Sequence, residues 1–301
     1  MKQKLGALLA LYIILSLGWC LNVQAQGSEG KQVFNVPFDY DHDEIILKVK
    51  VNGLGPFNMM LDLNTDPSVI DVKTARELNL KLKEYGDRKA GVFTTRLTEV
   101  AVGDVVAKSV DAVALDLTKF SEKLGRPLHG VLGHSFTKNR VVRIDYPAKV
   151  VLFSDGVPLP EKQGSAAQRV TFELKRESGS IIVEDVYVGG KRIKGTFDTG
   201  SDGSFKLTWR GAVDLGLQEV ALKGEAGSSV GYKGDAAFTK GTVKAIAIGS
   251  ITVESPEVIY FMKGAAHDNK PWVLNIGNAF LKDFILTVDY RRKQITLERP
   301  L

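Results

Sequence analysis

Parts of the chain are copies of one another, and this duplication limits the folds open to it more than any other feature. Gly130-Val131-Leu132-Gly133-His134-Ser135-Phe136, then Val141-Val142-Arg143-Ile144-Asp145-Tyr146, then Val150-Val151-Leu152 recur in the same order. The second copy reads Asn275-Ile276-Gly277-Asn278-Ala279-Phe280, Ile285-Leu286-Thr287-Val288-Asp289-Tyr290 and Ile295-Thr296-Leu297, each about 144 residues on (Asp145 to Asp289). Upstream, Met60-Leu61-Asp62-Leu63-Asn64-Thr65 stands 136 residues before Thr196-Phe197-Asp198-Thr199-Gly200-Ser201, and Val100-Ala101-Val102-Gly103 matches Ile246-Ala247-Ile248-Gly249. One matched pair would mean little, whereas several in series indicate a duplicated unit.

The two copies occupy residues 31–154 and 169–301. Residues 155–168 join them as a linker, holding Gly156, Pro158, Pro160, Gly164 and Ser165, which is turn chemistry between periodic segments. Within each copy the pattern is that of strands. Ile45 to Val51 alternates into Asn52-Gly53, a hairpin signal, and Phe57 to Leu61 returns. Ser180 to Val188, Gly189-Gly190 and Ile193 to Phe197 repeat the arrangement. Helical pattern is sparse, with short helices expected at Val72–Leu78 and Trp209–Leu215. The expected fold is therefore mainly β, two tandem small closed barrels with a few short helices.

The first 25 residues stand outside this scheme. Lys2 and Lys4 precede an apolar run from Leu5 to about Leu21, followed by the small residues Val23 and Ala25. This reads as a signal peptide over 1–25, cleaved after Ala25, so the protein is expected to be exported, periplasmic or secreted. A retained membrane anchor is the alternative. Cleavage removes Cys20, the single cysteine of the 301 residues, and with it thiol nucleophiles and thiolate metal sites. The formal charge of +5 falls to +3 with Lys2 and Lys4 gone, and the charge is mixed along the chain, so no nucleic-acid partner is expected. No glycine-rich phosphate loop opens a helix, and His42, His129, His134 and His267 lack metal-ligand spacing; no nucleotide, metal or other cofactor is expected.

Phe197-Asp198-Thr199-Gly200-Ser201, an apolar strand running into Asp-Thr-Gly after a hairpin, resembles the active-site loop of pepsin- and retropepsin-like aspartic proteases. Val131-Leu132-Gly133 and Asn275-Ile276-Gly277 look like the apolar-apolar-Gly element that packs beside that loop in the family. The resemblance spans about 31–301. It implies a two-lobed aspartic endopeptidase, acting as a monomer on a peptide or protein substrate, with Asp62 and Asp198 as the two catalytic carboxylates. It also implies that Thr199 bonds across the lobes, that Gly200 permits a tight loop, and that Ser201 contacts Asp198 as Thr65 contacts Asp62.

The first copy departs from the family pattern, reading Asp62-Leu63-Asn64-Thr65. Leu63 has no hydroxyl for a cross-lobe bond, and Asn64 replaces glycine, although Asn tolerates positive φ better than most residues. This departure motivates an alternative, a catalytically inactive module that binds peptide or protein. A third arrangement pairs the second lobe with the same lobe of another chain. Candidate flap hairpins lie at Tyr85–Thr95, with Phe93, and at Gly224–Gly234, with Tyr232. Among the remaining acids, Asp39, Asp41, Asp43 and Glu44 read as a solvated segment before a strand, because the Gly and distal Glu of a calcium loop are missing. Asp145 and Asp289 read as structural, and Asp66 and Asp202 as solvent-facing. Gly133-His134-Ser135-Phe136-Thr137 lacks the last glycine of a nucleophile elbow.

Overall fold

A computed structural model describes residues 33–85, 91–155, 159, 166–230, 236–265 and 267–300. The signal segment and Tyr232 lie outside these residues, as does most of the linker. Residues 31–301 form one compact unit.

Strand formation follows the alternation in the sequence. In Glu44–Val51, the buried Leu47, Val49 and Val51 alternate with exposed Lys48 and Lys50. Asn52 and Gly53 then take φ of 53° and 79°, the positive pair that a two-residue hairpin matched to strand twist requires. Gly189 and Gly190, at 55° and 83°, make the same turn in the second copy. Leu54–Leu61 runs back antiparallel to Glu44–Val51 and then parallel to Gly130–Leu132; Lys191–Phe197 likewise returns and lies parallel to Leu274–Ile276. Each return strand delivers an aspartate at its end, Asp62 or Asp198.

The first lobe's sheet closes on itself. Glu44–Val51 pairs with Leu54–Leu61, and the ladder continues through Gly130–Leu132, Ser68–Asp71, Val105–Leu115 and Phe93–Val102, which pairs back to Glu44–Val51. The second lobe builds the same central pairs but stays open as a half-barrel. Its hairpin edge, Glu225–Ser229 with Ala236–Thr242, joins at Glu257–Phe261, while Ala245–Ile248 attaches to Ser180–Val188. The fold is thus mainly β and two-lobed.

A third sheet belongs to both lobes. Its order is Val33–Pro37, Val150–Ser154, Val141–Asp145, Ile285–Asp289, Gln294–Pro300 and Ala166–Glu173. At its centre Val141 pairs with Asp289, Arg143 with Thr287 and Asp145 with Ile285, so the duplicated strand pairs antiparallel with its own copy about a pseudo-two-fold axis. Asp145 and Asp289 cap the hairpin turns that follow, accepting from Ala148 N at 3.1 Å and from Arg291 N and Arg292 N at 3.0 and 2.9 Å. Both are structural, as expected. Glu298, 4% exposed, takes two N–H groups of Arg169 (3.0 and 2.6 Å) and faces Arg143 at 3.5 Å. Glu298→Ala leaves the buried Arg143 guanidinium without this carboxylate. It is expected to lower the urea unfolding free energy by about 3 kcal/mol, as breaking a buried ion pair does.

The helices at Val72–Glu77 and Trp209–Leu215 appear where expected, capped by Asp71 and Thr208. Among the described residues four more, Thr118–Leu124, His134–Thr137, Gln218–Lys223 and Asn278–Leu281, are too short for a clear apolar period. Thr118–Leu124 seats Leu124 in a small apolar cluster with Ile46, Met60, Val69 and Val131. That anchoring sets Phe120 and Lys123 at the cleft.

Candidate active site

The two aspartate loops share several backbone hydrogen bonds. Asp62 N donates to Leu132 O at 3.0 Å, and Asp198 N to Ile276 O at 2.9 Å. Thr65 N reaches Asp62 O at 3.4 Å, and Ser201 N reaches Asp198 O at 3.3 Å. Asn64 N donates to Asp62 Oδ1 at 2.7 Å, and Gly200 N to Asp198 Oδ1 at 3.2 Å. The apolar-apolar-Gly elements close the motif, with His134 N on Thr65 O (2.7 Å) and Asn278 N on Ser201 O (2.8 Å). A Cβ on Gly133 would run into Thr65 O, and one on Gly277 would meet Gly203 O and Ser201 O at 2.6 Å, so both positions exclude a side chain.

Leu63 and Asn64 therefore leave the backbone of the first loop intact, and the reason is spatial. Neither Asn64 nor Gly200 has a positive φ, so the φ tolerance of Asn is not what preserves the loop. Glycine is needed at position 200 because a Cβ there would overlap the Asp62 carboxyl. Asn64 instead turns its side chain into the second lobe, donating from Nδ2 to Thr196 Oγ1 at 2.7 Å and accepting from Ile181 N at 2.6 Å. Thr199 Oγ1 accepts from Leu63 N at 3.0 Å, so the bond implied for Thr199 is present. Leu63, 1% exposed, packs in the core where a second hydroxyl would have stood.

The carboxylates have different partners. Thr65 Oγ1 donates to Asp62 Oδ2, as expected. Ser201 does not do the same for Asp198: its hydroxyl donates to Asp202 O at 3.4 Å. Asn275 takes that role, its Nδ2 donating to Asp198 Oδ2 at 2.5 Å. Three residues on, Asn278 ties the lobes further, donating to Thr199 O (2.8 Å) and accepting from Tyr146 OH (2.6 Å).

Asp62 and Asp198 face one cavity of about 190 Å³, with Asn64, Thr65, Gly200 and Ser201 also in its wall. Ser229 and Val230, at the end of the second-lobe hairpin, cover part of it; the tip with Tyr232 lies outside the described residues. Phe93 is not in the wall and pairs with Glu84 and Ala114 in the first-lobe sheet. Burial, and then the neighbouring Asp198 charge, push the Asp62 carboxyl up to about 7, against the Thr65 and Asn64 donors that favour its ionised form.

Two acids are placed differently from the sequence reading. Glu44 is not part of a solvated segment: it is 6% exposed and lies in the cavity wall, and burial with Asp202, Asp198 and Asp62 nearby raises its carboxyl well above the usual range. Asp202 is not simply solvent-facing, since Lys123 and Lys206 each bond it at 2.6 Å and bring its carboxyl down to about 2 despite burial. Asp66 is the more open of the pair, 4.0 Å from Arg176. Ser135 Oγ bonds Ser68 and the Asp111 carbonyl, which gives it no catalytic acid or histidine. Among the described residues no group of three His, Cys, Asp or Glu side chains is placed to hold a metal.

The raised acids make stability depend on pH in a stated direction. Between about pH 4 and 7 the folded chain holds a proton on Asp62 that the unfolded chain has released, so unfolding free energy falls as pH rises through that window. Glu44 adds in the same sense. Urea midpoints are expected to drop from pH 4.5 to 7.5, and Asp62→Asn to flatten that slope.

Residues 47–136, most of the first lobe, match the family model described as aspartyl protease. No curated protein matches the chain. A solved structure, the retropepsin-like aspartic protease from Rickettsia conorii, matches at 18% identity, covering 41% of this chain and 93% of its own, with a TM-score of 0.32.

Proposed function

Because residues 47–136 match the aspartyl protease family, we propose that the chain is an endopeptidase that hydrolyses peptide bonds with a water held between Asp62 and Asp198. The observation that carries this reading is the pair of loops with the same backbone bonds, each presenting a carboxylate to one cavity. Two carboxylates so placed share one proton. The ionised member takes a proton from the water as its oxygen attacks the peptide carbonyl, and the protonated member hydrogen-bonds the carbonyl oxygen as charge develops. The proton taken from water then passes to the leaving amine. Burial of Asp62 favours keeping the shared proton up to about pH 7, where loss of it ends activity. No metal or cofactor takes part.

The second-lobe hairpin is the cover that excludes water, since Ser229 and Val230 already border the cavity. One chain suffices, because it supplies both carboxylates. The protein acts outside the cytoplasm after loss of residues 1–25. The test is incubation of the purified chain with a peptide pool from pH 4 to 8, with products mapped by mass spectrometry. Cleavage that fades above about pH 7 supports the reading. Peptides bound but uncut at every pH would replace it with the binding module that Leu63 and Asn64 first suggested.

A further inference from the structure

One corner of the cavity carries charges that hydrolysis does not use. Lys123, from the first-lobe helix, and Lys206, from the second-lobe strand Phe205–Leu207, close on opposite oxygens of Asp202, each at 2.6 Å. Each ammonium spends one of its three N–H groups there. Lys206 is 8% exposed. Glu44 enters the same corner from the start of its strand, and its Oε2 is buried with no hydrogen-bond partner. Burial, and then the Asp202, Asp198 and Asp62 charges against Lys123, raise its carboxyl well above the usual range, which favours the protonated form.

Lys123 and Lys206 thus face a single carboxylate between them, Asp202, with the Glu44 carboxyl beside them. Lys123, Lys206 and Asp202 together carry +1, the two ammoniums keep N–H groups that Asp202 does not take, and Asp202 is already shared by both lysines. Such a place, shielded from water on the Lys206 side and open at Lys123, is completed by an anionic group with several lone pairs. We propose that Lys123, Lys206 and Glu44 form a subsite beside the carboxylate pair that takes the acidic side chain, Asp or Glu, of a bound peptide. A basic side chain there meets two ammoniums whose shared carboxylate, Asp202, is already engaged, which selects against it. Elsewhere in the cavity the rings of Phe261 and His267 stack at 4.1 Å with Trp272 beside them, an apolar wall for a neighbouring residue. Lys123 and Asp202 come from different lobes, so the subsite exists only where the lobes meet.

The subsite rests on the peptide reading of the cleft, and binding separates it from turnover. The full chain carrying Asp198→Asn is titrated, by fluorescence polarisation, with labelled octapeptides that contain one Phe and differ by Glu, Gln or Lys at each other position. At one position Glu is expected to bind about tenfold tighter than Gln, the worth of a charge-assisted hydrogen bond, and Lys more weakly than both. Adding Lys123→Met, at a partly exposed position, brings Glu and Gln within about twofold if the lysine supplies the preference. Lys206→Met is the second variant. Equal binding of Glu and Gln at every position overturns the subsite, as does tightest binding of Lys, a preference that survives both lysine variants, or no binding of any peptide. Peptides bound with the Glu preference but left uncut by the unsubstituted chain would remove the hydrolytic reading and leave the subsite; cleavage without a Glu preference would do the reverse.

Discussion

Replacing Asp198 with Asn is expected to lower kcat for peptide hydrolysis at least about a thousandfold, within the range by which positioned acid–base groups accelerate proton transfer. Asn keeps the size of the side chain and removes one of the two carboxylates between which the proton is shared. Asp62→Asn is expected to cost as much, since a pair sharing one proton works as a unit, and the double variant should be little worse than either single one. Peptide affinity should change far less than kcat. The measurement is kcat and KM for all three variants on one substrate, with folding checked by circular dichroism. Activity within tenfold of the unsubstituted chain in either single variant would remove the carboxylates from the mechanism.

The two loops should respond in opposite ways to changes at their third position. Gly200→Ala puts a methyl group into the Asp62 carboxyl. Activity is expected to vanish, and stability to fall by about 1–3 kcal/mol, as overpacking a filled site does. Asn64→Gly meets no such obstacle. It keeps the carboxylate geometry and loses the two bonds to Thr196 and Ile181, so it should cost about 2 kcal/mol of stability while retaining most of the turnover. Guanidinium unfolding and initial rates on the same two proteins decide the matter. Equal losses of turnover from both would mean that the asymmetry between the loops has no catalytic consequence.

Much of this was legible from residue order alone. The repeat and the Asn-Gly and Gly-Gly turns gave the hairpins that end in Asp62 and Asp198, because turn chemistry and strand alternation are local properties. Asp-Thr-Gly marked the second loop for the same reason. The partners that complete the site are not local. Asn275 bonds Asp198 from 77 residues away, Lys123 reaches Asp202 across 79, and Asn64 reaches Ile181 across 117. Glu44 looked solvated because it continues the acidic run Asp39, Asp41, Asp43, which lacks the Gly and distal Glu of a calcium loop. The strand it opens turns inward at that residue, and the sign of one position in an alternation cannot be read where the alternation begins. Only the offset to Asn275-Ile276-Gly277 could have drawn attention to Asn275, since the first copy has the apolar Val131 nearby where a donor to the carboxylate stands in the second.

The central strands of the shared sheet have a consequence for either half taken alone. Val141–Asp145 and Ile285–Asp289 are each other's antiparallel partner, in a register that reads the same from both sides. A lobe cut from its fellow would expose that strand as an unprotected edge, and the contact it has lost is one that a second molecule of the same lobe could supply. Intact, the chain carries its own dimer interface inside a single molecule. It can therefore differ on the two sides of that interface, with Leu63 opposite Thr199 and Thr65 opposite Ser201, as two identical subunits could not.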